Sequence, residues 1–294
     1  MRPVRLIVPF APGGPTDTVA RLVSERLQSV WGQPVIADYR PGAGTMVGTD
    51  FVARAAADGY TLGMAISALM VNPSLQPKVP YDTKKDLVGI SQLGQAHYGL
   101  FATPAAAFDT IPELIGYAKR NPGALSYASP GLGTGTHLAG AMLNHMAGIE
   151  MLHVPYKGSA PAQQDVIAGR VPLLFDVLFA AMPLVRDGRL KAIALASPAR
   201  AADHPEIPTI SESLPGFSAM SIIGMIAPSG VAKPLLERIS ADVAAAVKSA
   251  QLSARMRALG MEPVGSTQTQ YNALIDSEIA KWAAVIGTAH IKLE

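Results

Sequence analysis

Two glycine-rich segments hold the residues best placed to do chemistry in this chain, and the chemistry they suit is anion capture. Phe10-Ala11-Pro12-Gly13-Gly14-Pro15-Thr16-Asp17 follows one apolar run, and Ser129-Pro130-Gly131-Leu132-Gly133-Thr134-Gly135-Thr136-His137 follows another. Each leads into a helical pattern. A loop without side chains lets backbone N–H groups approach a ligand, and the first turn of a helix leaves up to four such donors unpaired. The helix dipole adds partial positive charge there. No basic side chain sits within either loop, so the donors are main-chain amides. At roughly 1.5–3 kcal/mol per charge-assisted bond, three or four of them supply most of the roughly 8 kcal/mol that micromolar binding needs.

Other chemistries lack their residues. The P-loop needs Gly-Lys-Ser/Thr, which is absent, and Gly42-x-Gly44-x-x-x-Gly48 has the wrong spacing for a dinucleotide fingerprint. There is no Gly-x-Ser-x-Gly elbow and no His-Glu-x-x-His pair. Six histidines are scattered, with no two at a metal-binding spacing of three or four, and there is no cysteine. Neither a metal nor a cofactor is expected, and no catalytic residue is assigned. Asp17 reads as a cap in the first turn of its helix. Asp176 ends a strand beside the expected cleft, where ligand contact and loop bracing both stay open. Phe175, Phe179, Leu69, Met70 and Tyr98 read as core, with one or two of them lining the cleft.

The elements that position these loops form an α/β pattern. Val4 to Phe10 reads as a buried strand, and Val19, Leu22, Val23, Leu27 and Val30 recur at helical spacing after it. Strands at Pro34 to Tyr39 and Thr61 to Ile66 flank a helix ending near Ala57, and the segment from Asn72 to Asp86 reads as a loop. A long strand, Val88 to Thr103, opens a second series: helix 111–120, strand 125–128, helix 137–147, strand 153–156, helix 160–168 and strand 171–176. Strand 190–196 closes it. Ala219 to Ala227 is another long strand, and three helical patterns finish the chain. The two long strands bracket the middle block, so the expected lobes are 1–101 with 224–294, and 102–223.

Composition limits the class. The chain has 294 residues, 49% hydrophobic and 16% charged, with 24 basic against 22 acidic side chains. That balance gives no footprint for nucleic acid. The longest apolar stretch, Leu173 to Val185, is broken by Asp176 and Pro183 and is too short to span a bilayer. A soluble monomer without membrane insertion is expected. No leader precedes the first strand, so export would rely on a leader outside this sequence.

At these loops the sequence strongly resembles the Bug-type receptors, the periplasmic solute-binding proteins of tripartite tricarboxylate transporters. The matching pieces run along nearly the whole chain: RLIVPFAPGGPTD, GQPVIADYRPGAGTMVGTDFVA, ADGYTL, VPYDTKKDL, ELIGYAKRNPGALSYASPGLGTGTHLAG, HVPYKGSAPA, DGRLKAIALAS, IPTISE and GMIAPSGVAKP. The resemblance implies a type II periplasmic-binding-protein fold, two lobes that close by hinge rotation on a small carboxylate for delivery to transporter subunits. It places ligand contacts at Ala11, Gly13, Gly14, Thr16 and Asp17 in the first loop. In the second it places them at Ser129, Gly133, Thr134 and His137. Ser67 and Asp176 fall where family members touch the variable part of the ligand. One position departs from the pattern: Ile222 stands before Gly224 where the family usually has tryptophan. Two other classes stay in play, a cleft-based hydrolase or oxidoreductase and a ligand-sensing module. Turnover of bound ligand would mark the first, and ligand-dependent capture of a partner the second.

Overall fold

Strand β1 (Val4–Val8) is apolar nearly throughout because it is paired on both sides, parallel to β2 (Val35–Tyr39) and to β3 (Thr61–Ile66). The computed structural model describes residues 2–10, 12, 15–156 and 158–288. Between the early strands lie α1 (Pro15–Trp31) and α2 (Met46–Ala53); α3 (Ala68–Leu75) and β4 (Leu87–Ala102) follow. The middle of the chain runs α4 (Ile111–Arg120), β5 (Ser126–Ser129), α5 (Gly135–Ala147), β6 (Leu152–Pro155), α6 (Ser159–Ile167), β7 (Leu173–Val177), α7 (Leu178–Arg186) and β8 (Lys191–Leu195). The last part is β9 (Met220–Pro228), α8 (Lys233–Lys248), α9 (Ala250–Ala258), β10 (Glu262–Pro263) and α10 (Gln268–Thr288). Among the described residues no helix is long and apolar enough to cross a membrane.

The chain divides into two units, Met1–Gln95 with Ile222–Ala284, and Ala96–Ser221 with Val285–Glu294. In the first, β2, β1 and β3 form a parallel set, and β9 joins β3 antiparallel with Gly63 opposite Ile226. Ile7, Val52, Leu69, Met70, Ile226 and Tyr271 build one of its cores. In the second unit β5 lies between β6 and β7, parallel to both, while β4 runs antiparallel to β7 and β8. Phe101, Ala128, Val166, Leu174 and Leu178 are buried together there. The expected α/β architecture is therefore present: each unit has three parallel strands edged by antiparallel ones.

Two local expectations need correction. The segment read as a loop from Asn72 begins as helix, because α3 continues through Pro73 to Leu75. Pro73 gives up one backbone donor, but Leu69, Met70, Val71 and Leu75 are all buried by that helix. Val30, placed on the inward stripe of α1, is instead 45% exposed at the end of the helix.

Candidate functional site

The second glycine loop joins the end of β5 to the start of α5, and its own side chains close most of its hydrogen bonds. Thr134 is the N-cap: its Oγ1 accepts from the His137 N–H at 3.3 Å and donates to the Gly131 carbonyl at 2.7 Å. The Thr136 hydroxyl lies 2.9 Å from Thr134 Oγ1. Gly133 N–H donates to His137 Nδ1 at 3.1 Å, so the His137 proton sits on Nε2. Leu138 N–H returns to the Thr134 carbonyl. The N–H groups of Gly135 and Thr136, the first two of the helix, are left without an acceptor among the described residues. Gly133 and His137 therefore shape this cradle with donors that are already spent. Gly135 and Thr136, which the sequence reading does not single out, present the open ones.

Gly135 has to be glycine. A Cβ there would lie 2.8 Å from Tyr98 Cε2 and closer still to the hydroxyl, so the buried Tyr98 packs directly on the first residue of α5. Beneath the loop Tyr127 donates to the His137 carbonyl at 3.0 Å, and burial pushes its phenol far up. His137 stacks on His153 with ring centroids 4.0 Å apart. Burial pushes His137 down to about 4, and burial together with the neighbouring ring pushes His153 down to about 3.

That stack predicts a pH effect of definite sign. Folded, both rings stay neutral down to about pH 4, whereas in the unfolded chain each takes up a proton below its ordinary value of 6.5. Between those limits the unfolded state binds more protons, so stability declines as pH falls from about 6.5 towards 4. The slope is at most about 1.4 kcal/mol per pH unit per ring, and less for the more exposed His153. Denaturation midpoints at pH 7.5 to 4 check this: His153→Phe is expected to flatten the slope relative to wild type, and parallel curves would refute it.

Asp176 is the last residue but one of β7, beside the loop's strand, with Ala128 paired to Leu174. It is 0% exposed and both oxygens are engaged. Oδ1 accepts from Ser159 Oγ at 2.7 Å and Val177 N–H at 2.8 Å, and Oδ2 from Gln163 Nε2 at 2.9 Å. These bonds tie α6 to β7. Burial nevertheless holds the carboxyl above its ordinary range.

In the first unit Ala11, Gly13 and Gly14 lie outside the described residues. Thr16 and Asp17, in the first turn of α1, are both buried. Asp17 accepts from Arg21 Nε at 2.8 Å and from the Tyr39 hydroxyl at 2.7 Å, and Arg21 Nη2 also reaches that hydroxyl at 2.6 Å. The triangle fixes α1 to the end of β2 through Tyr39, a contact that sequence spacing alone does not reveal. Ser67 follows β3, and its Oγ accepts the Ile222 N–H at 3.0 Å. Phe10 and Ser67 thus follow the carboxyl ends of the neighbouring parallel strands β1 and β3, where α/β sheets gather ligands.

Comparison with known proteins follows the same lines. The model of the tripartite tricarboxylate transporter family receptor matches residues 19–291. Protein BugT of Bordetella pertussis is 36% identical over 296 residues, covering 100% of this chain and 91% of its own. Among solved structures, R. palustris Rpa4515 with adipate aligns at TM-score 0.84 and 32% identity, over 98% of this chain and 97% of that one. MatC from Rhodopseudomonas palustris with bound malate aligns at TM-score 0.80 and 30% identity, over 96% and 98%. With the two-unit α/β architecture and a matched span of nearly the whole sequence, this chain belongs to the tripartite tricarboxylate transporter receptor family.

Proposed function

We propose that the chain is an extracytoplasmic, non-enzymatic receptor. It captures a small organic carboxylate with the main-chain donors of its two glycine-rich loops, closes on it by hinge rotation and delivers it to a transporter of the tripartite tricarboxylate type. The observation that carries this reading is the pair of open N–H groups at Gly135 and Thr136, on a helix start where the Gly133 and His137 N–H groups and the Thr134 hydroxyl are already bonded within the loop. Relatives solved with adipate and malate, both dicarboxylates, support the ligand class.

One loop alone is too weak a grip. Two charge-assisted bonds and a helix dipole give roughly 3–7 kcal/mol, short of the roughly 8 kcal/mol of micromolar binding. The first loop, with Ala11, Gly13, Gly14, Thr16 and Asp17, supplies the remainder in this reading. Ser129, Gly133, Thr134 and His137 set the geometry of the second, and Ser67 borders the variable part of the ligand. Asp176 acts through α6.

A melting-shift and calorimetric screen of mono- and dicarboxylates tests the proposal. A cognate acid at a hundred times its Kd stabilises by about 2.7 kcal/mol and is recovered unchanged; conversion of the acid, or no shift with any, would overturn the reading. Thr134→Val removes the cap and leaves the His137 N–H unpaired. It is expected to lower stability by about 1 kcal/mol and affinity at least tenfold, and wild-type affinity in that variant would count against the cradle.

A further inference from the structure

The segment HVPYKGSAPA opens on a histidine, His153, that lies under the second glycine loop. His153 lies on β6 opposite Tyr127 of β5. Its Nε2 is 2.7 Å from Ser129 Oγ, and its ring stacks on His137 with the planes 20° apart. Tyr127 also packs beside it, with ring centroids 5.0 Å apart.

From Ser129 the contacts run round the whole loop. Ser129 Oγ accepts the Gly131 N–H at 3.3 Å and lies 3.1 Å from the Gly131 carbonyl. That carbonyl also receives Thr134 Oγ1, which caps His137, and His137 Nδ1 in turn holds the Gly133 N–H. His137 stacks back on His153. The circuit is closed: His153, Ser129, Gly131, Thr134, His137 and His153 again. Ser129 has one proton to give. Given to the Gly131 carbonyl, that proton lets the hydroxyl grip both polar groups of Gly131 while His153 Nε2–H donates to Oγ at 2.7 Å and fixes it.

We propose that His153 is a positioning residue for the anion cradle at the start of α5. It touches no ligand; it clamps the loop from below, through Ser129 at its edge and His137 at its face, and so aims the Gly135 and Thr136 N–H groups. The inference rests on the reading of that helix start as the carboxylate site. Histidine suits the role because it combines a flat stacking face with an in-plane polar atom at its rim. Phenylalanine keeps the face without the bond, and glutamine keeps a polar atom without the ring.

Those two substitutions supply the test. Hydrogen exchange of amides 131–138 is followed in ligand-free wild type, His153→Phe and His153→Gln, with melting curves to show that each is folded. Malate and adipate are then titrated into all three. Loss of one such bond is expected to speed exchange at Gly131 and Gly133 about tenfold in His153→Phe. The same variant is expected to weaken binding of whichever acid the wild type takes by about tenfold, and His153→Gln to restore both to within about threefold. Unchanged exchange in His153→Phe overturns the proposal, as does a glutamine variant no nearer to wild type than the phenylalanine one. If the wild type binds neither acid, the exchange result still decides whether His153 clamps the loop, and only the carboxylate reading is lost.

Discussion

Gly140→Ala is expected to lower the unfolding free energy by about 3 kcal/mol and to weaken ligand binding with it, because the added methyl has nowhere to go. Its Cβ would lie 2.8 Å from Tyr127 Cδ2 and closer still to Cε2 and Cζ. Tyr127 cannot retreat. It is 1% exposed, its hydroxyl is bonded to the His137 carbonyl at 3.0 Å, and its ring meets the edge of Phe175 with centroids 5.7 Å apart. The overlap must be relieved by lifting α5, and that helix begins with the two open N–H groups. Gly148→Ala, at the other end of α5, separates this mechanism from a simple backbone effect. Gly148 has φ +59° with nothing within 4 Å of a Cβ, so the substitution strains one residue, at about 1 kcal/mol, and leaves the cradle in place. Chemical denaturation and calorimetry on the two variants check the contrast. Equal losses would show that overlap with Tyr127 is not the cause.

The same region shows where sequence reading succeeds and where it stops. Apolar runs announce buried strands: VRLIV became β1, and the run around Leu100 became β4. Helical periodicity placed Val19, Val23 and Leu27 inward, and each is fully buried. It failed at Val30, since a stripe drawn by spacing does not know where the covering surface ends. The glycines marked the second loop, yet the helix expected from His137 begins two residues earlier, at Gly135. Those two residues carry the open donors. The difference follows from side-chain bonding: the cap is Thr134 Oγ1, and the Gly133 N–H turns inward to His137 Nδ1. Spacing cannot specify either bond. The His137–His153 stack is hidden for a related reason. It joins a helix start to a strand, and only the β5–β6 register, with Tyr127 opposite His153, brings the two rings together.

A pair of substitutions at Asp176 with unequal expected costs separates bracing from ligand contact. Asp176→Ala leaves Ser159 Oγ, Gln163 Nε2 and the Val177 N–H without their acceptor in a position that is 0% exposed. With about 1–3 kcal/mol for each stranded donor, and some relief through repacking, a loss of about 3 kcal/mol is expected. Asp176→Asn is far milder. Its Oδ1 keeps the bonds from Ser159 and Val177. The new amide then faces Gln163, whose side chain turns to offer its own oxygen and gives up the 3.2 Å bond to the Ala180 carbonyl. Removing a buried charge offsets part of that, so the net cost is about 1 kcal/mol. If Asp176 acts only by holding α6 to β7, the asparagine variant binds carboxylates with near wild-type affinity. An ionised Asp176 in contact with an anionic ligand would instead repel it, and neutralising the side chain would tighten binding. Calorimetric titration of the asparagine variant with a dicarboxylate distinguishes the two, and a marked gain in affinity at unchanged stability would move Asp176 from the brace into the site.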